Sequence, residues 1–100
     1  VLGCGNSGLR SDVLQGIDWV NANFVGPAVV NMSLGGGFST SYNTSIANSV
    51  AKGIVYVVAA GNDNYDACDQ SPAAEPSAIT VGSTTTSDNR SSFSNYGTCI

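Results

Sequence analysis

Apolar side chains recur at helical spacing in two segments of the chain, SDVLQGIDWVNAN and SYNTSIANSVAKG. The apolar positions are Val13, Leu14, Ile17 and Val20 in the first segment, and Tyr42, Ile46, Ala47, Val50 and Ala51 in the second. Ser11 is a candidate N-cap for the first helix, and Lys52 and Gly53 are residues that commonly end helices. The pattern therefore predicts two amphipathic helices.

Three further segments, PAVVNMSL, IVYVVAA and SAITVGS, are rich in β-branched residues and predict strands. A strand, a helix and a second strand in this order predict a right-handed βαβ unit with parallel strands. The nearly continuous apolar character of IVYVVAA is typical of a central strand that helices cover on both faces. We therefore expect an α/β fold with a mainly parallel sheet and flanking helices.

Two unusual stretches, SLGGG and AAGN, follow the first two predicted strands. Because the carboxyl ends of parallel strands meet at one edge of a sheet, both stretches are expected at the edge where such sheets bind ligands. SLGGG fits a flexible turn, a phosphate cradle or an exposed backbone edge on which an extended peptide lies as an added strand. The phosphate interpretation is the weakest, because neither glycine motif of nucleotide-binding loops is present.

AAGN also has two interpretations. It fits a strand end that turns through Gly61, with Asn62 capping the turn. It equally fits a floor of small residues beneath a side-chain pocket, with the Asn62 carboxamide directed at a developing oxyanion. The presence of SLGGG at the same predicted edge favours the second interpretation.

Composition narrows the classes of function. The chain has 100 residues and a net charge of −4, which argues against binding to nucleic acid. No apolar run reaches the roughly 20 residues of a membrane span. Few charges, and cysteines without metal-ligand spacing, fit an extracellular protein. No organic cofactor is expected. The sequence also lacks histidine, so no mechanism that needs an imidazole can be completed within these residues.

Four motifs occur in a fixed order: NMSLGGG, VVAAGNDN, SPAAEP and SSFSNYG. Together they resemble the subtilisin-like serine proteases, specifically the proteinase K group, from Val1 to Ile100. The resemblance implies a three-layer subtilisin-like fold and a Ser-His-Asp triad whose sequence blocks lie upstream and downstream of these residues. It therefore implies that residues 1–100 are an internal fragment of one catalytic domain. The fragment alone should be inactive, and the parent should be a secreted, monomeric endopeptidase acting on extended peptides.

Site residues follow from the resemblance position by position. Asn62 corresponds to the side-chain donor of the oxyanion hole. The substrate-binding positions are Ser33, Leu34, Gly35, Ala59, Ala60, Gly61, Ser7 and Gly8. The first three correspond to the strand that pairs with the substrate backbone, the next three to the other wall of the specificity pocket, and the last two to the opposite edge of the groove. Relatives commonly carry an aspartate at Gly3 and the order Asn-Gly at Gly5-Asn6, which alters the outer edge here.

The resemblance also implies a structural calcium site at the carbonyls of Pro76 and Ala78, with a carboxylate ligand expected just past Ile100. Cys68 and Cys99 flank a polar loop, and we predict that they form a disulfide. Cys4 looks like a residue whose partner lies upstream.

Three functions remain in competition. The leading hypothesis is a segment of a secreted serine endopeptidase. The second is a non-catalytic peptide-binding or pseudoenzyme module that keeps the groove without the nucleophile, and the third is a phosphate-binding α/β module. The sequences flanking this chain would separate the first two, because they either encode the histidine and serine blocks or do not.

Overall fold

The computed structural model describes residues 1–100. Its elements, in chain order, are α1 (Arg10–Asn23), β1 (Ala28–Met32), β2 (Gly36–Gly37), α2 (Thr40–Val50), β3 (Ile54–Ala59), a short 3₁₀ helix (Ala67–Asp69), β4 (Gln70–Ser71) and β5 (Ile79–Val81). Both predicted helices and all three predicted strands are present. None of the helices has the length and apolarity needed to cross a membrane.

A parallel three-stranded sheet, in the order β1-β3-β5, organises the chain. Strand β3 is central, as its apolar sequence predicts, and pairs with β1 from Ala28↔Ile54 to Met32↔Val58. The α/β prediction is therefore confirmed. The register also confirms that the segments after β1 and β3 leave the sheet at the same edge, since Ser33 and Ala59 are the next residues along the two strands.

The start of α1 differs from the prediction. The N-cap is Leu9, which forms no side-chain cap, and Ser11 lies inside the helix with its hydroxyl 3.4 Å from the Asp12 carboxylate. Ser11 as N-cap was therefore wrong, because the chain enters helical geometry two residues earlier than the polar signal suggests. Helix α2 does have a serine cap: Ser39 Oγ accepts a hydrogen bond from the Tyr42 amide.

Both helices pack on the same face of the sheet. The buried core consists of Val13 and Ile17 from α1, Tyr42 and Ile46 from α2, and Met32, Ile54, Tyr56 and Val58 from the strands. On the opposite face, apolar side chains of all three strands are exposed; they include Val29, Val55, Ile79 and Val81. The expectation of helices on both faces of β3 is therefore not met within this chain, which supplies the sheet and one helical layer.

The predicted disulfide between Cys68 and Cys99 is present, with a Cα–Cα distance of 5.4 Å, whereas Cys4 is free and exposed. Near the disulfide, the backbone of the C-terminal segment forms hydrogen bonds with the loop after β3. The Ala67 amide donates to the Tyr96 carbonyl, and the Tyr96 amide donates to the Tyr65 carbonyl. The disulfide thus fastens the loop that follows β3 to residues about thirty positions later.

Removing this disulfide should destabilise the complete protein. The bond closes a loop with a sequence separation of 31 residues, for which the chain-entropy model gives about 3–4 kcal/mol. We expect Cys68→Ser, Cys99→Ser and the double variant to lose the same free energy of unfolding, measured by urea denaturation. If the double variant loses clearly more than either single variant, or if none loses stability, the bond does not contribute as described.

Candidate active site

A groove of about 680 Å³ lies between the N-terminal segment and the residues that follow β1. Ser7 and Gly8 line one side, and Ser33, Leu34 and Gly35 line the other. The structure thus brings together five of the predicted substrate-binding residues, from parts of the chain about 25 positions apart. Ala59 ends the neighbouring strand β3, and Ala60, Gly61 and Asn62 follow it; none of the four lines this groove.

The backbone from Ser33 to Gly35 is an unpaired edge. No backbone hydrogen bond outside the helices and strands involves any of these three residues. Ser33 and Gly35 are exposed, and Leu34 is half-buried with its side chain packed against the core. Free amide and carbonyl groups on extended backbone are what an added peptide strand requires.

The glycines that follow this edge are not a flexible turn. Gly36 and Gly37 form β2, which pairs antiparallel with Gln70 and Ser71 of β4. The Ser71 hydroxyl accepts a hydrogen bond of 2.9 Å from the amide of Ser39, which caps α2. The direction of the chain after Gly35 is therefore fixed by pairing, and the turn interpretation of SLGGG is disfavoured.

The opposite edge of the groove has its own constraints. A Cβ atom at Gly8 would collide with the backbone carbonyl of Val1, so no larger residue fits there without a shift of the chain. Asn6 takes φ 55°, a left-handed conformation that asparagine tolerates better than most other residues. The reversed Gly5-Asn6 order therefore places an asparagine, rather than a glycine, in the left-handed region at this edge.

Arg10 and Tyr42 are among the groove-lining residues that the sequence analysis did not predict as site residues. The Arg10 guanidinium spans it and donates a hydrogen bond of 3.2 Å to the Gly37 carbonyl. Burial raises the pKa of Tyr42 to about 12, against a smaller opposing effect of the Arg10 charge. Tyr42 therefore stays neutral well into the alkaline range. Arg10 is the first residue of α1, and Tyr42 fits the apolar spacing of α2. Neither residue therefore stood out in the sequence as part of a groove.

Asn62 lies in the loop that leaves β3, and it is exposed. The strand is held up to that point: the Ala60 amide donates to the Val81 carbonyl, and the Ala60 carbonyl accepts from the Asn95 side chain. No side chain or backbone group of this chain hydrogen-bonds to the Asn62 carboxamide, which leaves its N–H groups free for a ligand.

The small residues before Asn62 have structural reasons for being small. Ala60 is 1% exposed and packs with Ala67 and Ala73 in a separate apolar cluster. Gly61 has φ 107°, and a Cβ atom there would collide with the side-chain amide of Asn95. Packing within the chain therefore already requires small residues here, whether or not they also form the wall of a substrate pocket.

A complete metal site is not formed by side chains of this chain, since no group of three or more His, Cys, Asp or Glu residues converges. Pro76 and Ala78 lie in the loop before β5. The neighbouring Glu75 carboxylate is engaged by the amide and hydroxyl of Ser77. Calcium takes six to eight oxygen ligands, so a site at these two carbonyls would need further oxygen ligands.

Comparisons with known proteins agree on one family. The sequence model of the subtilase family matches residues 1–100. An extracellular serine proteinase of Thermus sp. (strain Rt41A) is 58% identical over 100% of this chain and 24% of its own length. Alkaline serine exoprotease A of Vibrio alginolyticus is 52% identical over 100% of this chain and 19% of its own length. The chain thus spans about a quarter or less of these relatives.

Among solved structures, a cold-adapted subtilisin-like serine proteinase superposes with a TM-score of 0.97 at 54% sequence identity. The match covers 100% of this chain and 37% of that protein. The similarity in sequence and in structure therefore extends over every element described above.

A bulky side chain at Gly35 should weaken binding of an extended peptide to the complete protein. A Cβ atom at this position lies 3.4 Å from the Ser71 carbonyl oxygen, so alanine fits, whereas the γ-methyl groups of valine must displace the edge or project over it. We expect Gly35→Val to raise the dissociation constant, or KM, about tenfold or more, equivalent to about 1.4 kcal/mol.

The matched control is Gly5→Val, where a Cβ atom has room and the residue does not line the groove. Gly35→Ala should have a smaller effect than Gly35→Val. Unchanged peptide binding in Gly35→Val would show that the groove lies elsewhere.

Proposed function

The chain belongs to the subtilase family, and on that premise we propose that it is an internal segment of the catalytic domain of a secreted serine endopeptidase. The observation that carries this proposal is the unpaired backbone of Ser33–Gly35, which faces Ser7 and Gly8 across a groove. The extracellular relative from Thermus supports secretion. The exposed apolar face of the sheet supports a larger domain, in which the remaining helical layer of a three-layer fold would cover it.

In this proposal, a substrate binds as an extended strand between the two edges of the groove. Ser33, Leu34 and Gly35 supply main-chain hydrogen bonds on one side, and the segment at Ser7 and Gly8 supplies the other side. Main-chain pairing gives affinity for peptides of many sequences, because it uses groups that every residue has. The parent would act on peptides and proteins as a monomer.

Asn62 is proposed to donate a hydrogen bond to the oxyanion. Attack on a peptide carbonyl places negative charge on its oxygen, and a fixed neutral donor stabilises that charge without first losing the hydration of an ion. Asn62 is suited to this role because its carboxamide is exposed and has no partner within the chain. The segment has no histidine, so the base and the nucleophile of a triad must come from residues outside it.

Replacing Asn62 tests this assignment. In the complete enzyme, Asn62→Ala should lower kcat by about 10²–10³ with little change in KM, a magnitude taken from the removal of one such donor in subtilisin, which belongs to this family. Asn62→Asp, which keeps the size of the side chain but replaces the donor with a carboxylate, should be at least as impaired.

Asn89→Ala is a suitable control, because Asn89 is exposed and does not line the groove. Near-normal turnover in Asn62→Ala would overturn the assignment of the donor. A complete protein that binds peptide in the groove but never cleaves it would favour the non-catalytic peptide-binding module instead.

A structural calcium ion is also proposed, with the carbonyls of Pro76 and Ala78 among its ligands. When bound, the ion would be coordinated by these carbonyl oxygens and would cross-link them to its other ligands. Chelation with EDTA should then lower the Tm of the complete protein, because a ligand present at 100 times its Kd stabilises the folded state by about 2.7 kcal/mol. Calcium, but not magnesium, should restore the Tm. A Tm that EDTA leaves unchanged would contradict calcium binding.

A further inference from the structure

We propose that Asn95 is a positioning residue for the reaction: it holds the backbone on both sides of Asn62 and so fixes the oxyanion donor in place. This inference rests on the proposed function, because it assigns a role to Asn95 through Asn62. Asn95 lies in the SSFSNYG motif, whose individual residues carry no assigned role, and it is 0% exposed.

Every hydrogen-bonding direction of the Asn95 carboxamide is used. Its Nδ2 atom donates to the Ala60 carbonyl at 2.9 Å and to Gln70 Oε1 at 3.0 Å. Its Oδ1 atom accepts from the amides of Asp63 at 2.9 Å and Tyr65 at 3.1 Å. The side chain therefore meets the full capacity of two donors and two lone pairs.

These bonds bracket Asn62 without touching it. Ala60 is held on the N-terminal side, and Asp63 and Tyr65 are held on the C-terminal side. The backbone amide of Asn95 also donates to the Gly61 carbonyl at 3.0 Å. Ala60, two residues before Asn62, and Asp63, immediately after it, are thus tied to a single buried side chain, while the Asn62 carboxamide remains free.

Only asparagine satisfies this environment. Aspartate keeps the acceptor for the amides of Asp63 and Tyr65 but places a carboxylate oxygen against the carbonyl of Ala60. Leucine has a similar size but leaves buried amide and carbonyl groups without partners, which is destabilising. Glutamine carries the same carboxamide one methylene further from the backbone, away from the positions that these four partners require.

The Asn95 backbone is held independently of its side chain. The Ser94 hydroxyl accepts a hydrogen bond of 2.9 Å from the Ser83 amide, and the Ser94 amide donates to the Ser91 carbonyl, so the segment is attached to residues outside the loop around Asn62. The Cys68–Cys99 disulfide closes the same region. A substitution of the Asn95 side chain should therefore loosen the loop around Asn62 while the segment itself stays in place.

The kinetic consequence is specific. A donor that is fixed in advance needs no reorganisation when charge develops on the substrate oxygen. A loosened loop loses that benefit in the transition state only, so kcat falls while KM changes little. A residue that merely stabilised the fold would instead change Tm without acting through Asn62.

The experiment is a double-mutant cycle in the complete enzyme. Asn95→Asp alone should lower kcat about ten- to a hundredfold, less than the 10²–10³ expected for loss of the donor itself. In the Asn62→Ala background, the same change should lower kcat less than about twofold, because the group that it positions is already missing.

Ser49→Ala is the stability control, because it removes a buried hydrogen-bond network with Asn21 and Tyr56 on the other side of the core. It should lower Tm and leave kcat unchanged in both backgrounds. If Asn95→Asp does not fold, Gln70→Ala decides the question. That variant removes one partner of Asn95 and the Gln70 bond of 2.7 Å to Asp63, and its smaller loss in kcat should likewise vanish in Asn62→Ala.

The outcomes distinguish the proposed role of Asn62 as oxyanion donor from the proposed role of Asn95 as its positioning residue. Normal turnover in Asn62→Ala overturns the proposed role of Asn62, and this inference falls with it. Impaired turnover in Asn62→Ala, combined with an undiminished further loss from Asn95→Asp, overturns the positioning role alone. A loss from Asn95→Asp confined to Tm or KM also overturns it.

Discussion

The parallel pairing of β1 with β3 determines where both candidate site segments begin. Because Met32 lies opposite Val58, the chain leaves the two strands at the same edge of the sheet, once toward Ser33 and once toward Asn62. The buried faces of these strands hold that register, since a slip of one residue would expose Tyr56 and Val58. The positions of the groove edge and of the proposed donor therefore both depend on this core.

The elements of the fold were predictable because they depend on local periodicity. Strand β3 is central in the sheet, as IVYVVAA predicted, but only its inward residues Ile54, Tyr56 and Val58 are buried. The same apolar run could not show that the outward face, with Val55, lacks a covering layer within these residues. The sequence shows that Val55 is apolar, but a local pattern does not show which residues would cover it.

Part of the site was predictable for a different reason. The stretches SLGGG and AAGN stand out because small residues and a carboxamide at strand ends are unusual, and family resemblance assigned roles to them. Asn95 was missed individually because its contact with Ala60 joins positions 35 residues apart. Gly61 is small because its φ is positive and Asn95 lies against it. The sequence records the glycine but not the side chain that requires it.

The central claim is that the Ser33–Gly35 edge and Asn62 form one site, with Asn62 held in position by the loop that Asn95 fixes. A crystal structure of the complete enzyme with a bound peptide aldehyde tests it most directly, because the adduct places an oxygen where the oxyanion forms. The account predicts an extended inhibitor paired with Ser33–Gly35 and its oxygen about 2.7–3.1 Å from the Asn62 side-chain nitrogen. An inhibitor bound away from this edge, or an adduct oxygen out of reach of Asn62, would contradict it.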